Sequence, residues 1–293
     1  MKNNGKNPIT GPAHYKLLET GSSVRRDTLQ ALRSDRCEPF LRTEMLRELF
    51  VQLGNTSKKI QREVCDILVE LGPNNPEVVD GLTRRLKDKD TRVRWTAAFA
   101  LSRIPLKRPL PLAVLIENLG HQESDLRWAA AAAILELAKH HHKDVVSHMI
   151  RLTAEGNSVQ RRMSLYCLRD LDTRESAAIE SYMICLNDTD EMVRMASLSC
   201  IGSLSLTTSS IRSKVAIVMV SDAQIKVRRH AAIICGQIGQ RDPKVLDALE
   251  GQTHSKDDSL ARASTASLSR LRARHVSHSV PRKTQPRGKS PNA

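Results

Sequence analysis

Residues 89–104 read Lys-Asp-Thr-Arg-Val-Arg-Trp-Thr-Ala-Ala-Phe-Ala-Leu-Ser-Arg-Ile, and the chain repeats that frame. Ser124–Leu137 carries Leu126-Arg127-Trp128 where the first copy has Val93-Arg94-Trp95, with Ala130, Ala131, Ile134 and Leu137 in place of Ala97, Ala98, Leu101 and Ile104. Glu191–Leu204 and Ile225–Ile238 repeat it again, through Val193-Arg194 and Val227-Arg228. Weaker copies begin at Ile60, Gln160 and Leu260, so the frame starts at 60, 93, 126, 160, 193, 227 and 260, every 33 or 34 residues. A fixed period of this size marks an array of stacked units, each burying its apolar face against its neighbours. It outranks any local motif.

Composition agrees with closely packed helices. Aromatic residues are 3% of the 293, so contacts fall to Ala, Leu, Ile and Val, which let helices approach one another. No run of about 18 apolar residues offers a transmembrane helix, and the sequence Met1-Lys2-Asn3-Asn4-Gly5-Lys6-Asn7-Pro8 lacks the apolar stretch of a signal peptide. A cytoplasmic location is the expectation. The six cysteines fit it: Cys167 and Cys200 hold equivalent repeat positions, and equivalent helices sit about 8–10 Å apart, too far for a disulfide. No Cys-x-x-Cys pair or Cys/His set has zinc spacing.

Two kinds of helix alternate. One precedes each frame, over Cys37–Leu53, Pro76–Lys87, Pro109–Leu119, Lys143–Ala154, Glu175–Leu186, Ser210–Val220 and Pro243–Gln252; the other is the frame helix itself. A degenerate first pair, His14–Glu19 and Ser22–Leu32, reads as an N-terminal cap. Asp90, Asp190 and Asp257 stand where frame helices begin, as N-caps do; Pro76 and Pro243 suit helix starts, and Gly72-Pro73 and Gly239 suit helix stops. The expected fold is all-α, an α-solenoid of about eight helical pairs over residues 13–271. Residues 1–12, rich in Pro, Asn and Gly, are expected to be a disordered arm, and 272–293 a disordered basic tail. That tail holds six of the +14 net charges, leaving +8 on the rest of the chain; anionic partners are compatible with this charge, which does not select one.

The pattern Asp-x-x-Val-Arg-x-x-Ala-Ala-x-x-Leu, here Asp90 to Leu101, resembles the HEAT-like repeat of the phycobilisome-lyase type, and the resemblance extends over about 250 residues. It implies a solenoid whose frame helices line the concave side. The family it points to consists mostly of binding scaffolds, with a minority of enzymes.

Candidate sites follow from helical phase. At about 100° per residue, Val93, Ala97, Leu101 and Ile104 face the partner helix, Ala98 and Ala100 flank them, and Trp95, Phe99 and Ser102 point away. Later repeats place Trp128, Ala132 and Leu135, then Arg162, Tyr166 and Arg169, then Met195, Ser199 and Gly202, then Arg229, Ile233 and Gly236 on this strip, with Arg62, Asp66 and Val69 before them. Four of the chain's eight aromatics (Trp95, Phe99, Trp128 and Tyr166) gather there. The expected binding face is therefore Arg62, Trp95, Phe99, Trp128, Leu135, Arg162, Tyr166 and Arg169. A phase error of about 40° would instead turn these side chains into the seam between repeats. Against that, the position of Trp95 is basic in four repeats, as Arg62, Arg162, Arg229 and Arg262. The frame arginines 94, 127, 161, 194 and 228 read as a structural ladder tied to turn acids such as Asp90 and Asp190.

No catalytic residues, metal ligands or cofactor are assigned. Gly-rich phosphate loops and Gly-x-Ser-x-Gly are missing from the sequence. None of the ten histidines is followed by Glu, which removes the paired iron ligands that the resemblance to HEAT-repeat deoxyhypusine hydroxylases would require. Lys139-His140-His141-His142-Lys143 reads as a solvated turn between helices. The expected function is a non-enzymatic scaffold for a protein partner with an acidic, partly apolar segment. Two alternatives stand beside it: a nucleic-acid binder, extending to a base-acting enzyme similar to HEAT-like DNA glycosylases for which Asp66 is the one carboxylate on the strip, and a bilin lyase-type subunit that no particular residue supports.

Overall fold

The computed structural model describes residues 38–105, 110–239 and 242–277, together with residues 28, 30–32 and 34. Among these there is no β-strand. Two compact units divide the chain, one reaching Leu171 and the other starting at Asp172. The arm 1–12, the helix expected at His14–Glu19 and residues 278–293 lie outside the described residues; of the expected helix Ser22–Leu32, residues 28 and 30–32 are helical.

The first unit stacks α1 (Pro39–Val51), α2 (Lys58–Leu71), α3 (Pro76–Arg85), α4 (Thr91–Ser102), α5 (Leu112–Leu119), α6 (Ser124–Glu155) and α7 (Ser158–Asp170). The second stacks α8 (Ser176–Cys185), α9 (Glu191–Ser203), α10 (Ser209–Ser221), α11 (Ile225–Ile238), α12 (Pro243–Gln252) and α13 (Asp258–Ser277). Frame helices alternate with the helices that precede them, and each packs on the next frame helix of its own unit, as α4 does on α2 and α6, and α11 on α9 and α13. The cores are aliphatic: Leu49, Leu53, Val64, Leu68, Leu82 and Leu101 in the first unit, Val193, Leu198, Ile201, Val215, Val227 and Cys235 in the second, none more than 1% exposed. Ala97, Ala98 and Ala100 are fully buried, consistent with small residues at the closest helix approaches.

Helix starts have local causes. The Asp90 carboxylate accepts from the Arg92 amide at 2.8 Å, and Asp190 accepts from the Met192 amide at the same distance. Asp257 accepts from the Leu260 amide at 2.8 Å, and Asn157 and Gln160 form a reciprocal capping box. Helix α5 begins at Leu112, three residues after the expected Pro109. Leu110 precedes Pro111, whose ring disfavours a helical residue before it.

Residues 139–143 hold the expected junction between two helices, which meet within α6 at one non-helical residue, His141, at φ −134° and ψ 43°. The helix axis therefore breaks at a single residue, with His140 and His142 exposed on either side. At the other end, α13 runs to Ser277, six residues into the stretch expected to be tail, and Arg272 within that overhang pairs with Glu250 of α12 at 3.2 Å.

The frame arginines are structural, but their partners differ from those expected. Arg94 donates to the carbonyls of Asp88 and Lys89 at 3.0 and 3.2 Å, Arg127 to those of His121 and Gln122 at 2.8 and 2.6 Å, and Arg161 to that of Gly156 at 2.9 Å. Arg194 donates to the carbonyls of Asp188 and Thr189 at 2.8 and 3.2 Å, and Arg228 to that of Asp222. Each guanidinium thus sits at the C-terminal end of the preceding helix, where carbonyls lack intrahelical partners and the helix dipole is negative. Asp90 and Asp190 are occupied as N-caps instead.

Candidate functional site

With positions counted as residues beyond the frame start (Trp95 is two beyond Val93), the strip predicted from helical phase is half-buried to exposed at its second position. Arg62, Trp128, Arg229 and Arg262 are exposed; Trp95, Arg162 and Met195 are half-buried. No residue at this position is buried, because it lies diametrically away from the Ala/Leu stripe that meets the partner helix. Trp128 retains 47% of its surface. The sixth position behaves alike, with Phe99, Tyr166 and Ser199 half-buried and Ala132 exposed.

The ninth position does not. Ser102 is buried and its hydroxyl donates to the Phe99 carbonyl at 2.8 Å. A Cβ on Gly202 would stand 2.5 Å from Ile234, and one on Gly236 would stand 2.5 Å from Ser267. In the second unit this column is the seam between neighbouring frame helices, so Gly202 and Gly236 leave the proposed open strip. Leu135 and Arg169 hold the ninth position in the first unit and are half-buried, placing them on the shoulder of the face.

The first unit arranges its aromatics as two pairs. Trp95 and Phe99 are one turn apart on α4, ring centroids 5.7 Å apart and tilted by 33°. Trp128 on α6 and Tyr166 on α7 come from successive frame helices and stack at 5.6 Å with 14° between their planes. Each pair carries a guanidinium. Arg103 lies 5.7 Å from the Phe99 centroid and pairs with Asp66 of α2 at 2.7 Å; Arg169 lies 4.9 Å from the Tyr166 centroid and pairs with Asp170 at 2.8 Å. Cation–π contact and ion pairing together fix both arginine planes.

Arg103 was missed by the phase reading, since it follows the last turn of α4. Its signal was available in the complementary charge of Asp66, whose frame position it faces one repeat later. Asp66, the carboxylate that helical phase placed on the strip, is thereby ion-paired to Arg103. Beneath Arg103, burial pushes the Cys65 thiol up to about 11, partly offset by the guanidinium 3.9 Å away; burial pushes Cys167 to about 12. Thiols so placed stay protonated and are not nucleophiles. The five described cysteines are buried and form no disulfide. Among the described residues no helix is long and apolar enough to cross a membrane.

This chain is similar to known repeat proteins. The family model of HEAT repeats matches residues 46–134 and 179–269. Among solved structures, YibA of Escherichia coli is 16% identical, with 88% of this chain and 95% of that one covered at a TM-score of 0.48. Human deoxyhypusine hydroxylase, in complex with glycerol, is 16% identical over 90% of this chain and 100% of its own, at a TM-score of 0.38. A computationally designed armadillo repeat protein for modular peptide recognition is 15% identical over 84% of this chain and 98% of its own, at a TM-score of 0.36. With the matched stretches exceeding half of its residues and helical pairs stacked in the frame read from the sequence, the chain belongs to the HEAT-repeat family.

Proposed function

We propose that the protein is a non-enzymatic scaffold that binds a partner protein on the face formed by Arg62, Trp95, Phe99, Trp128, Arg162, Tyr166 and Arg169. The observation that supports it most is the Trp128–Tyr166 stack: an indole 47% exposed lies flat on a tyrosine ring that itself carries the Arg169 guanidinium. In a chain with eight aromatics, rings held rigid on an open face lose little conformational freedom when a partner docks, and Trp, Tyr and Arg are the residues that dominate binding energy. The charge suits an acidic, partly apolar segment, because among the described residues Arg62 and Arg162 have no carboxylate within ion-pair distance.

Trp95→Ala combined with Trp128→Ala should reduce capture of the partner by more than about tenfold, each aromatic anchor being worth about 2 kcal/mol. The far-UV helical signal should be retained, since neither ring is in the core. Affinity purification with mass spectrometry, comparing wild type with the double variant, measures this; an unchanged partner profile refutes the face. A nucleic-acid ligand is the second reading, favoured by the same stacked rings beside arginines. A gel shift separates the two, because nucleic-acid binding must weaken steeply as salt rises. A bilin lyase-type role requires a tetrapyrrole, and absorbance of the purified protein incubated with bilin tests it.

A further inference from the structure

A separate surface, on the second unit, goes beyond the partner face of the first. The frame helices there hold their carboxylates at the first residue only, Glu191 on α9 and Asp258 on α13, and α11 holds none. On α11 the second, sixth and tenth positions are Arg229, Ile233 and Gln237; on α13 they are Arg262, Ala266 and Arg270. Residues four apart form one ridge along a helix, and all six are exposed. Helices α11 and α13 pack directly, with Gly236 set against Ser267, so the two ridges lie side by side. In the first unit the same positions include Asp66, Glu70, Glu136 and Asp170. Arg229, Arg262 and Arg270 make no ion pair among the described residues. Burial and the Arg229 guanidinium hold the neighbouring His230 imidazole below its ordinary value, as a positive local potential does.

We propose that this face of the second unit binds the phosphate backbone of a nucleic-acid duplex without reading its sequence. Arg229 and Arg262 stand one repeat apart, about 8–10 Å, and Arg262 and Arg270 are separated by about 12 Å along α13. One strand of a duplex advances about 3.4 Å of axis per phosphate, so the phosphates are more closely spaced than the cations and each arginine meets one. The exposed hydroxyls of Ser203 and Ser269 lie on the same side of α9 and α13, and hydroxyls join arginines in contacting phosphate oxygens. A protein partner fits less well here: the two ridges offer Ile233 and Ala266 as apolar contacts and no ring, whereas protein interfaces rest on aromatic anchors. The missing rings also argue against single strands, whose bases stack on aromatic side chains. The acid-free charge continues along the sequence, with eight Lys and Arg and no Asp or Glu from Ser259 to Ala293.

Fluorescence anisotropy of a fluorescein-labelled duplex of about 24 base pairs, titrated with the full chain between about 50 and 200 mM salt, tests this. Arg229→Gln, Arg262→Gln and Arg270→Gln combined should weaken binding more than about tenfold at about 100 mM salt. The slope of log Kd on log salt should become shallower by about 2.7, from three contacts at about 0.9 each. Circular dichroism should be unchanged, all three side chains being exposed. Arg84→Gln, Lys87→Gln and Lys89→Gln remove the same charge from exposed positions of the first unit and should leave the slope in place. An equal loss there overturns the face, because net charge alone then explains the binding. DNA and RNA duplexes of one sequence distinguish the source of the backbone, and salt-sensitive binding of either supports the proposal. No binding at about 50 mM salt overturns it, as does tighter binding of polyglutamate, which would make the ligand an acidic protein. Duplex binding that is lost in Trp95→Ala with Trp128→Ala would move the nucleic acid to the first unit, and overturns it too.

Discussion

At Gly236 and Gly251 the same substitution has opposite expected signs. Gly236 lies on α11 against α13, where an added Cβ would be 2.5 Å from the Ser267 side chain and 2.8 Å from its Cα. That second atom is backbone and cannot swing aside, so Gly236→Ala should lose about 1–3 kcal/mol by overpacking. Gly251, in the last turn of α12, has nothing within 4 Å, so Gly251→Ala should gain about 0.5–1 kcal/mol from helix propensity. Urea titrations of the two variants check the contrast. Another local effect is pH-dependent. The Arg212 guanidinium donates to Asp242 at 2.9 Å and holds its carboxyl below the ordinary 3.8. Because the folded-state value is the lower one, this contribution is fully present above about pH 4 and is lost as pH falls through the folded value. Arg212→Met should therefore lower the melting temperature at neutral pH and flatten its decline as pH falls below about 4.

Between elements, the frame arginine does more than close its own turn. Arg194 caps α8 through two carbonyls and also reaches Asp222, at the C-terminal end of α10, with two hydrogen bonds of 2.7 and 2.9 Å. The pair is shielded, its side chains 11% and 6% exposed. Arg194→Ala should cost about 3 kcal/mol, much of it from leaving Asp222 buried without its partner. Arg194→Met with Asp222→Leu should cost less than the single change, and a double-mutant cycle in urea measures the difference. The equivalent Arg94 meets Glu117 at 3.1 Å with that carboxylate 59% exposed, so its loss should be the smaller, water already screening the charge. The frame arginine thus carries stability, while the next residue along is half-buried at Trp95 and exposed at Trp128.

Each of the two units has an aliphatic core of its own, and among the described residues its closest helix contacts are with neighbours in the stack. Stability in such an array accumulates from local contacts, so urea unfolding should depart from a single two-state transition. Gly236→Ala should then shift the transition of the unit beginning at Asp172 while leaving that of the unit ending at Leu171 in place. Fluorescence of Trp95 and Trp128 reports the first unit alone, and circular dichroism reports both. Superposable curves from the two probes, moving together in the variant, would show one cooperative body.

The period of 33 or 34 residues determined the helical pairs, their order and nearly all their boundaries, because a fixed spacing of Ala, Leu and Ile allows only one way to bury every stripe. The caps at Asp90, Asp190 and Asp257 were legible for the same reason: they act within a few residues of themselves. Helical phase also located Trp95, Trp128, Phe99 and Tyr166 on a face turned from the partner helix. Tertiary structure alone decided the rest. That the ninth position is a seam at Gly202 and Gly236, that the ladder arginines seek carbonyls before carboxylates, and that Tyr166 stacks on Trp128 were decided by how neighbouring helices are set against one another. Their geometry depends on how far and at what angle one helix pair is set upon the next, and side-chain volumes summed across the seam fix that, where no single segment of the sequence does.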